Sequence, residues 1–277
     1  MAHECFDLEV ADGIAHIRLS RPDALNTFVR AFWRELPEAV ADLDRSAAAR
    51  VIVVSSTGRH FTAGIDLGVF QAFGPAPDAE PGRTRAALMR TVEAMQETFA
   101  CLDRARMPVI AAIQGGCIGA GVDMVSACDM RYCTVDAFFS IHEINIGMTA
   151  DVGTFPRLPH LIPQGMVREL AYTGRRLPAA RAREIGLVNE VYDTHEAMMA
   201  AVMATAAEIA ARSPLAVWGS KEMINYARDH TIADGLRHIA TWQAGMFHEP
   251  DLKEGLTAQA EKRRPRYDDL LPARDVI

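Results

Sequence analysis

Apolar and polar positions alternate in two short runs near the start of the chain, "FDLEV" and "IAHIRL", and the "ADG" between them is turn-like, so the pair predicts a β-hairpin. Phe28, Phe32, Leu36, Val40 and Leu43 then recur at steps of three or four, the period of a helix with one apolar face. Pro37 inside that run lacks an N–H and predicts a kink or a break. "RVIVVSS" is almost wholly apolar, as a strand covered on both faces requires, and "TGRHFTAGIDL" is the loop after it. Residues 74–83, "GPAPDAEPGR", concentrate Gly and Pro and predict a mobile loop. A helix from about Thr84 to Arg104 follows, then a strand "PVIAAI", then a glycine-rich turn "QGGCIGAGVD" that opens another helix. "MRYCTV" and "AFFSI" read as further strands, and helical patterns dominate from Pro163 onward.

Strand, loop and helix thus alternate over the first two thirds and a helical third closes the chain, which predicts an α/β or α+β fold with an inner sheet layer. No stretch has the length of a linker to a second independent domain, so the expected division is a core, 1–199, and a helical region, 200–277, of the same domain. At 277 residues, 49% hydrophobic and 23% charged, the composition is that of an ordinary globular protein. The formal net charge of −7 exerts no pull toward nucleic acid or an anionic membrane, so neither is an expected partner. An anionic ligand would have to meet a local basic cluster, and "AEKRRPRY", with Lys262, Arg263, Arg264 and Arg266, is the one at hand; its plainer reading is a solvated helix end. The cysteines Cys5, Cys101, Cys117, Cys128 and Cys133 are odd in number and lack both CxxC spacing and zinc-distance histidines, which predicts reduced thiols and no metal. Together with the lack of a leader-like apolar run, of an 18-residue apolar window and of a peroxisomal address in "ARDVI", they predict a cytoplasmic location.

Two loops carry candidate chemistry. In "FTAGIDL", Gly64 sits where the backbone can need positive φ, leaving the amides of Ala63 and Ile65 to face a ligand; most such loops are merely tight turns. In "GGCIGAGVD", Gly115, Gly116, Gly119 and Gly121 allow close backbone approach and leave the first helical amides unpaired, although strand-helix packing explains the glycines equally well. One amide from each loop makes a site for a developing oxyanion. Other templates fail: Met124 stands where a dinucleotide fingerprint needs glycine, and neither GxxxxGK nor GxSxG occurs. His142 beside Glu143 is a candidate base whose plainer reading is structural. Asp151 lies among Ile144, Ile146, Met148, Ala150 and Val152, an apolar setting in which a carboxylate is costly; it either caps a helix starting at "DVGTF" or serves chemistry.

In order along the chain, "HIRLSRPDALNT", "HFTAGIDL", "GGCIGAGVDMVSACDMRYC", "SIHEINIGMTADVGT" and "LAYTGRRLPAARAREIGLVNEV" resemble the segments of the crotonase family, also called the enoyl-CoA hydratase/isomerase superfamily, over roughly residues 5 to 267. The resemblance implies a spiral of ββα turns, a helical C-terminal region used in forming trimers or hexamers, and an acyl-CoA thioester as substrate with no further cofactor. It implies a thioester oxygen held by the amides of Ile65 and Ala120, with Ala63, Gly64, Asp66, Leu67, Gly116, Gly119 and Lys262 as the surrounding substrate and CoA contacts. Ala120 and Ala24 depart from the family, which often has Gly and a Lys or Arg at these places; the second departure leaves the CoA phosphates to other basic residues such as Lys262.

Hydrating members carry glutamates at the positions of Asp123 and Glu143. Here the first is aspartate, and Asp151 adds a third acid; the trio is similar to that of members that shift a conjugated diene. The implied mechanism has Glu143 remove a proton at C2, Asp151 deliver one at C6, and Asp123 tune the site. Hydration of a 2-enoyl-CoA is the alternative, and a non-catalytic acyl-CoA- or RNA-binding scaffold of the same fold is a second, against which the three carboxylates argue.

Overall fold

The computed structural model describes residues 3–70 and 80–273. β1 (Phe6–Ala11) and β2 (Ile14–Leu19) pair antiparallel and leave Asp12 and Gly13 as a two-residue turn. Both turn residues have positive φ, 52° and 76°, the geometry whose twist matches that of the flanking strands. β3 (Val51–Ser56), β4 (Val109–Ile113), β6 (Met130–Thr134) and β9 (Glu190–Tyr192) add in parallel, giving a six-stranded sheet of order β1-β2-β3-β4-β6-β9. β5 (Gly116–Ile118), β7 (Phe138–Ser140) and β8 (Leu177–Pro178) form a second, three-stranded sheet.

The chain passes from the large sheet to the small one within each turn of this spiral. At Gly115, φ 56°, it leaves β4 and enters β5, and a Cβ there would lie 2.2 Å from the Arg59 carbonyl oxygen, so only glycine fits. β6 and β7 repeat the step. β3 and β4 are buried along their whole length because both faces are covered. Ile52, Val54, Ala111 and Ile113 point into a core with Phe28, Phe32, Phe99 and Leu102. Val51, Val53, Ile110 and Ala112 point the other way, onto Met198, Val202 and Ala206 of α8 (His195–Ala210). The period of two is the one the sequence pattern implies.

The expected break at Pro37 does not occur. α1 (Phe32–Ser46) runs through it, and the Trp33 carbonyl that Pro37 cannot bond accepts instead from the Thr98 hydroxyl at 3.0 Å. Thr98 belongs to α3 (Pro81–Arg104), which begins three residues before the expected Thr84 because the Glu80 carboxylate accepts from the amides of Gly82 and Arg83. Of the predicted loop 74–83, residues 74–79 fall outside the described residues, and 80–83 are this helix start.

The closing third is helical except for β8 and β9: α6 (Gln164–Thr173), α7 (Ala179–Glu184), α8, α9 (Pro214–Tyr226), α10 (Ile232–Met246) and α11 (Glu249–Ala260). The expected boundary at 199/200 cuts α8, both halves of which pack on the sheet, so the core extends past it. Lys221 of α9 is buried and donates to the carbonyls of Leu102 and Met107 and to Asp129 at 2.9 Å, fastening α9 beneath the C-terminal end of α3. α10 buries no residue and turns Ile232, Leu236 and Ile239 outward, an apolar stripe with no cover in the single chain. No single helix among the described residues is long and apolar enough to cross a membrane.

Candidate active site

Strand pairing brings the two candidate loops side by side. Thr62 and Cys117 form a parallel bridge, and Ile65 and Ala120 each lie three residues downstream of it. The loops touch: a Cβ on Gly64, φ 85°, would stand 2.6 Å from the Ile118 carbonyl oxygen and 3.3 Å from the Ala120 nitrogen. Ala120 is the first residue of α4 (Ala120–Ser126), where an amide has no acceptor within its own helix. Neither the Ile65 nor the Ala120 N–H donates to any acceptor among the described residues, whereas the neighbouring amides of Ala63, Gly64 and Asp66 are bonded to Leu25, Thr62 and Phe28. Two adjacent, unsatisfied donors are what an oxyanion needs.

The other predicted contacts divide. Asp66 accepts from the Thr27 hydroxyl and the Gly68 amide, so its carboxylate shapes the loop, and Leu67 opens α2 (Leu67–Phe70) with its side chain in solvent. Gly116 has its backbone taken up within the fold: its N–H is held by His60 Nδ1 at 2.8 Å and its carbonyl accepts from the Thr62 amide at 3.1 Å. Lys262 is exposed at the end of α11, and no hydrogen bond or ion pair joins its ammonium to the rest of the described chain. Its neighbour Arg263 is taken up by Glu254 and Glu261, both at 2.6 Å, so the basic run is less of an anion site than its composition suggests.

The three carboxylates arrive from consecutive turns. Ile118 pairs with Ser140, and Glu143 follows three residues later in a 3-10 turn, Glu143–Ile146. Its Oε1 would be 3.1 Å from a Cβ on Gly119, which is glycine with φ 55°, so a larger residue would press on this carboxyl group. Asp123 sits one turn into α4, with no solvent exposure. Its Oδ1 accepts from the Thr154 amide at 2.6 Å, and its Oδ2 has no partner. Thr154 is the first residue of α5 (Thr154–Arg157), so the cap on this helix is Asp123 and not Asp151. Asp151 is thereby left half-buried, its carboxylate meeting no hydrogen-bond donor but its own backbone N–H among the described residues. His142 keeps the structural role: its Nδ1 meets the Asn145 amide at 3.1 Å.

Burial pushes Glu143 up to about 7, with the charges of Asp123 and Asp151 adding. It raises Asp123 to about 6, against the hydrogen bond from Thr154, with Asp151 adding and Arg157 opposing. It raises Asp151 as well. Groups raised in the folded state favour the protonated protein, so the stability they lend is full below pH about 4 and is lost as pH climbs through about 6 and 7. The double variant Asp123→Asn, Glu143→Gln should therefore be more stable than wild type at pH 8, by up to about 6 kcal/mol at ~1.4 kcal/mol per pKa unit for a rise of roughly two units at each group. That advantage should shrink as pH falls through about 7 and 6 and be gone by about pH 3, below the ordinary values of both groups. Denaturant unfolding across this range checks it; a pH-independent difference would contradict the raised values.

Sequence reading missed the residues behind these acids, since each contact spans tens of positions. Gln96 and Asp103 of α3 and Arg157 of α5 line, with Asp151, a cavity of about 650 Å³ that does not extend to the amide pair. Its other walls include Asn225 of α9 and Arg228 just beyond it.

The profile of the enoyl-CoA hydratase/isomerase family matches residues 9–270. This chain belongs to the enoyl-CoA hydratase/isomerase family. Among curated relatives it is 43% identical over 252 residues to a mitochondrial Δ3,5-Δ2,4-dienoyl-CoA isomerase of Mus musculus, covering 90% of this chain and 77% of the relative. It is 38% identical over 259 residues to a peroxisomal Δ3,5-Δ2,4-dienoyl-CoA isomerase of Arabidopsis thaliana, covering 93% of each. Among solved structures, an enoyl-CoA hydratase of Bacillus anthracis superposes with a TM-score of 0.85 at 29% identity, over 98% of this chain and 100% of that one. A Thermobifida fusca protein solved in complex with CoA superposes at 0.78 with 31% identity, over 93% and 95%. The enoyl-CoA hydratase/isomerase fold implied by the sequence is thus the observed one. The cytoplasmic expectation is overturned by the mouse and Arabidopsis relatives, whose names place them in mitochondria and peroxisomes. Free thiols and the lack of an address motif do not discriminate between reducing compartments.

Proposed function

We propose that this enzyme converts a 3,5-dienoyl-CoA to a 2,4-dienoyl-CoA, as the breakdown of unsaturated fatty acyl chains requires. The observation that carries the reading is Asp151, a carboxyl group raised by burial and free of any capping duty, set near a second raised acid, Glu143. The likeness to dienoyl-CoA isomerases over nine tenths of the chain supports it. The thioester oxygen takes the Ile65 and Ala120 amides, Glu143 as carboxylate removes the C2 proton, and the electrons shift along the diene. Asp151 as the acid delivers a proton at C6, and each such role contributes roughly 10²- to 10⁴-fold. Asp123, fixed by Thr154, tunes Glu143 through its charge. CoA forms part of the substrate, and the exposed Lys262 is the group proposed to meet its phosphates. Incubation with a 3,5-dienoyl-CoA is expected to raise the absorbance of the conjugated 2,4-dienoyl thioester. A loss of enoyl absorbance with a 2-enoyl-CoA, and no rise with the diene, would give the reaction to hydration instead.

The working unit is proposed to be a trimer or a dimer of trimers, with the apolar stripe of α10 covered by a second copy. Light scattering at micromolar concentration should give three or six times 30.3 kDa; a mass of one chain would sink this.

A further inference from the structure

We infer that Gln96, Asp103 and Arg157 form a positioning set that holds Asp151 at its working distance, an inference that rests on the isomerase reading above. Gln96, Ala100 and Asp103 stand at i, i+4 and i+7 on α3 and so share one face of the helix, which turns toward the segment 151–157. The Gln96 amide donates to the Asp151 carbonyl at 2.7 Å. Asp103 accepts from the Arg157 guanidinium at 2.7 Å, a pair only 16% and 14% exposed. Arg157 in turn lies against the backbone of Gly153, where a Cβ would come within 2.0 Å of its Nη1. The far end of the segment is fixed by the Asp123 carboxylate on the Thr154 amide. Four residues from Asp151 to Thr154 are thus clamped at both ends and braced from behind.

The brace continues into the C-terminal region. Asp103 also accepts from Arg228 at 2.9 Å, and its carbonyl accepts from the Asn225 amide at 2.9 Å. α3 therefore couples the far acid to the end of α9. Glu143 depends on none of these contacts, because its place is set by β7 and Gly119. Loosening the brace should impair delivery of the proton at C6 while leaving removal of the C2 proton intact.

That separation supplies the test. In D₂O, Glu143 abstracts the C2 proton to give the trienolate; return of a deuteron to C2 regenerates labelled substrate, and delivery of one to C6 gives product. Both routes balance without any other reactant. Gln96→Met alters an exposed position and spares folding; Asp103→Asn and Arg157→Met remove the ion pair, and Arg157→Lys keeps the charge without the fork. Diene formation is expected to fall about 10- to 100-fold in Asp103→Asn and Arg157→Met, the scale of an ångström-sized misplacement, and by a smaller factor in Gln96→Met. C2 exchange should stay within about twofold, and Arg157→Lys should recover part of the loss. Diene formation and exchange that fall together, or a wild-type partition in all four variants, would overturn the positioning role while leaving the isomerase reading standing. A wild-type enzyme that forms no 2,4-diene would refute that reading and this inference with it.

Discussion

Replacing Ala120 by proline is expected to lower turnover by at least about 10²-fold, the loss typical of one deleted oxyanion donor, whereas glycine there should leave most activity in place. Proline at the first position of a helix removes only an N–H that has no acceptor in that helix, so α4 should survive the change. The preceding residue is restricted by the proline ring, but Gly119 lies at φ 55° and ψ −122°, the mirror image of the extended region that this restriction favours. The fold is therefore spared while the one donor that α4 offers is lost. Glycine keeps the N–H and only widens the backbone's freedom there. The comparison of kcat/KM for the two variants, with thermal unfolding as the control on folding, decides the matter: equal activities would mean that no amide at this place stabilises the transition state.

The legible and the illegible parts of this molecule differ in the range of the interaction involved. The hairpin was readable because a two-residue turn and the alternation around it are local, and the buried strands because both faces had to be apolar. The amide pair was half readable. The glycines pointed to close approach, but only the parallel bridge of Thr62 with Cys117 shows that Ile65 and Ala120 are in step. The partner of the Gly116 N–H was hidden for the same reason, since nothing local reveals that it is His60, 56 positions earlier.

Pro37 and Asp151 show long-range contacts overriding sound local rules. A proline does cost a helix its bond to the carbonyl four residues back, yet Thr98 of another helix satisfies that carbonyl. An aspartate ahead of "VGT" is a reasonable helix cap, yet the amide to be capped is held by Asp123, 31 positions away. The acidic trio was legible as a set through family resemblance, but that Asp123 rather than Asp151 holds the Thr154 amide emerges only from the packing.

Asp151→Asn draws on that division and is the most discriminating substitution available. Because Asp151 caps nothing, the variant should unfold at nearly the wild-type temperature, and above neutral pH it should be no less stable, since a carboxyl group raised by burial is no longer forced to ionise. The side chain keeps its shape and loses its titrating proton. If Asp151 delivers the proton at C6, conversion of 3,5-dienoyl-CoA should fall by at least about 10²-fold. Addition of water to a 2-enoyl-CoA, where the wild-type enzyme shows it, draws on Asp123 and Glu143 and should persist. The quantity to measure is the ratio of isomerase to hydratase rate in wild type and variant, each across pH 5 to 9. Asparagine cannot recover activity at any pH in that range, so a profile that merely shifts would point to a neighbour of Asp151 as the acid. A ratio unchanged by the substitution would remove Asp151 from the chemistry, and the two raised carboxyl groups left, Asp123 and Glu143, would then fit the hydrating pair better than the diene shift.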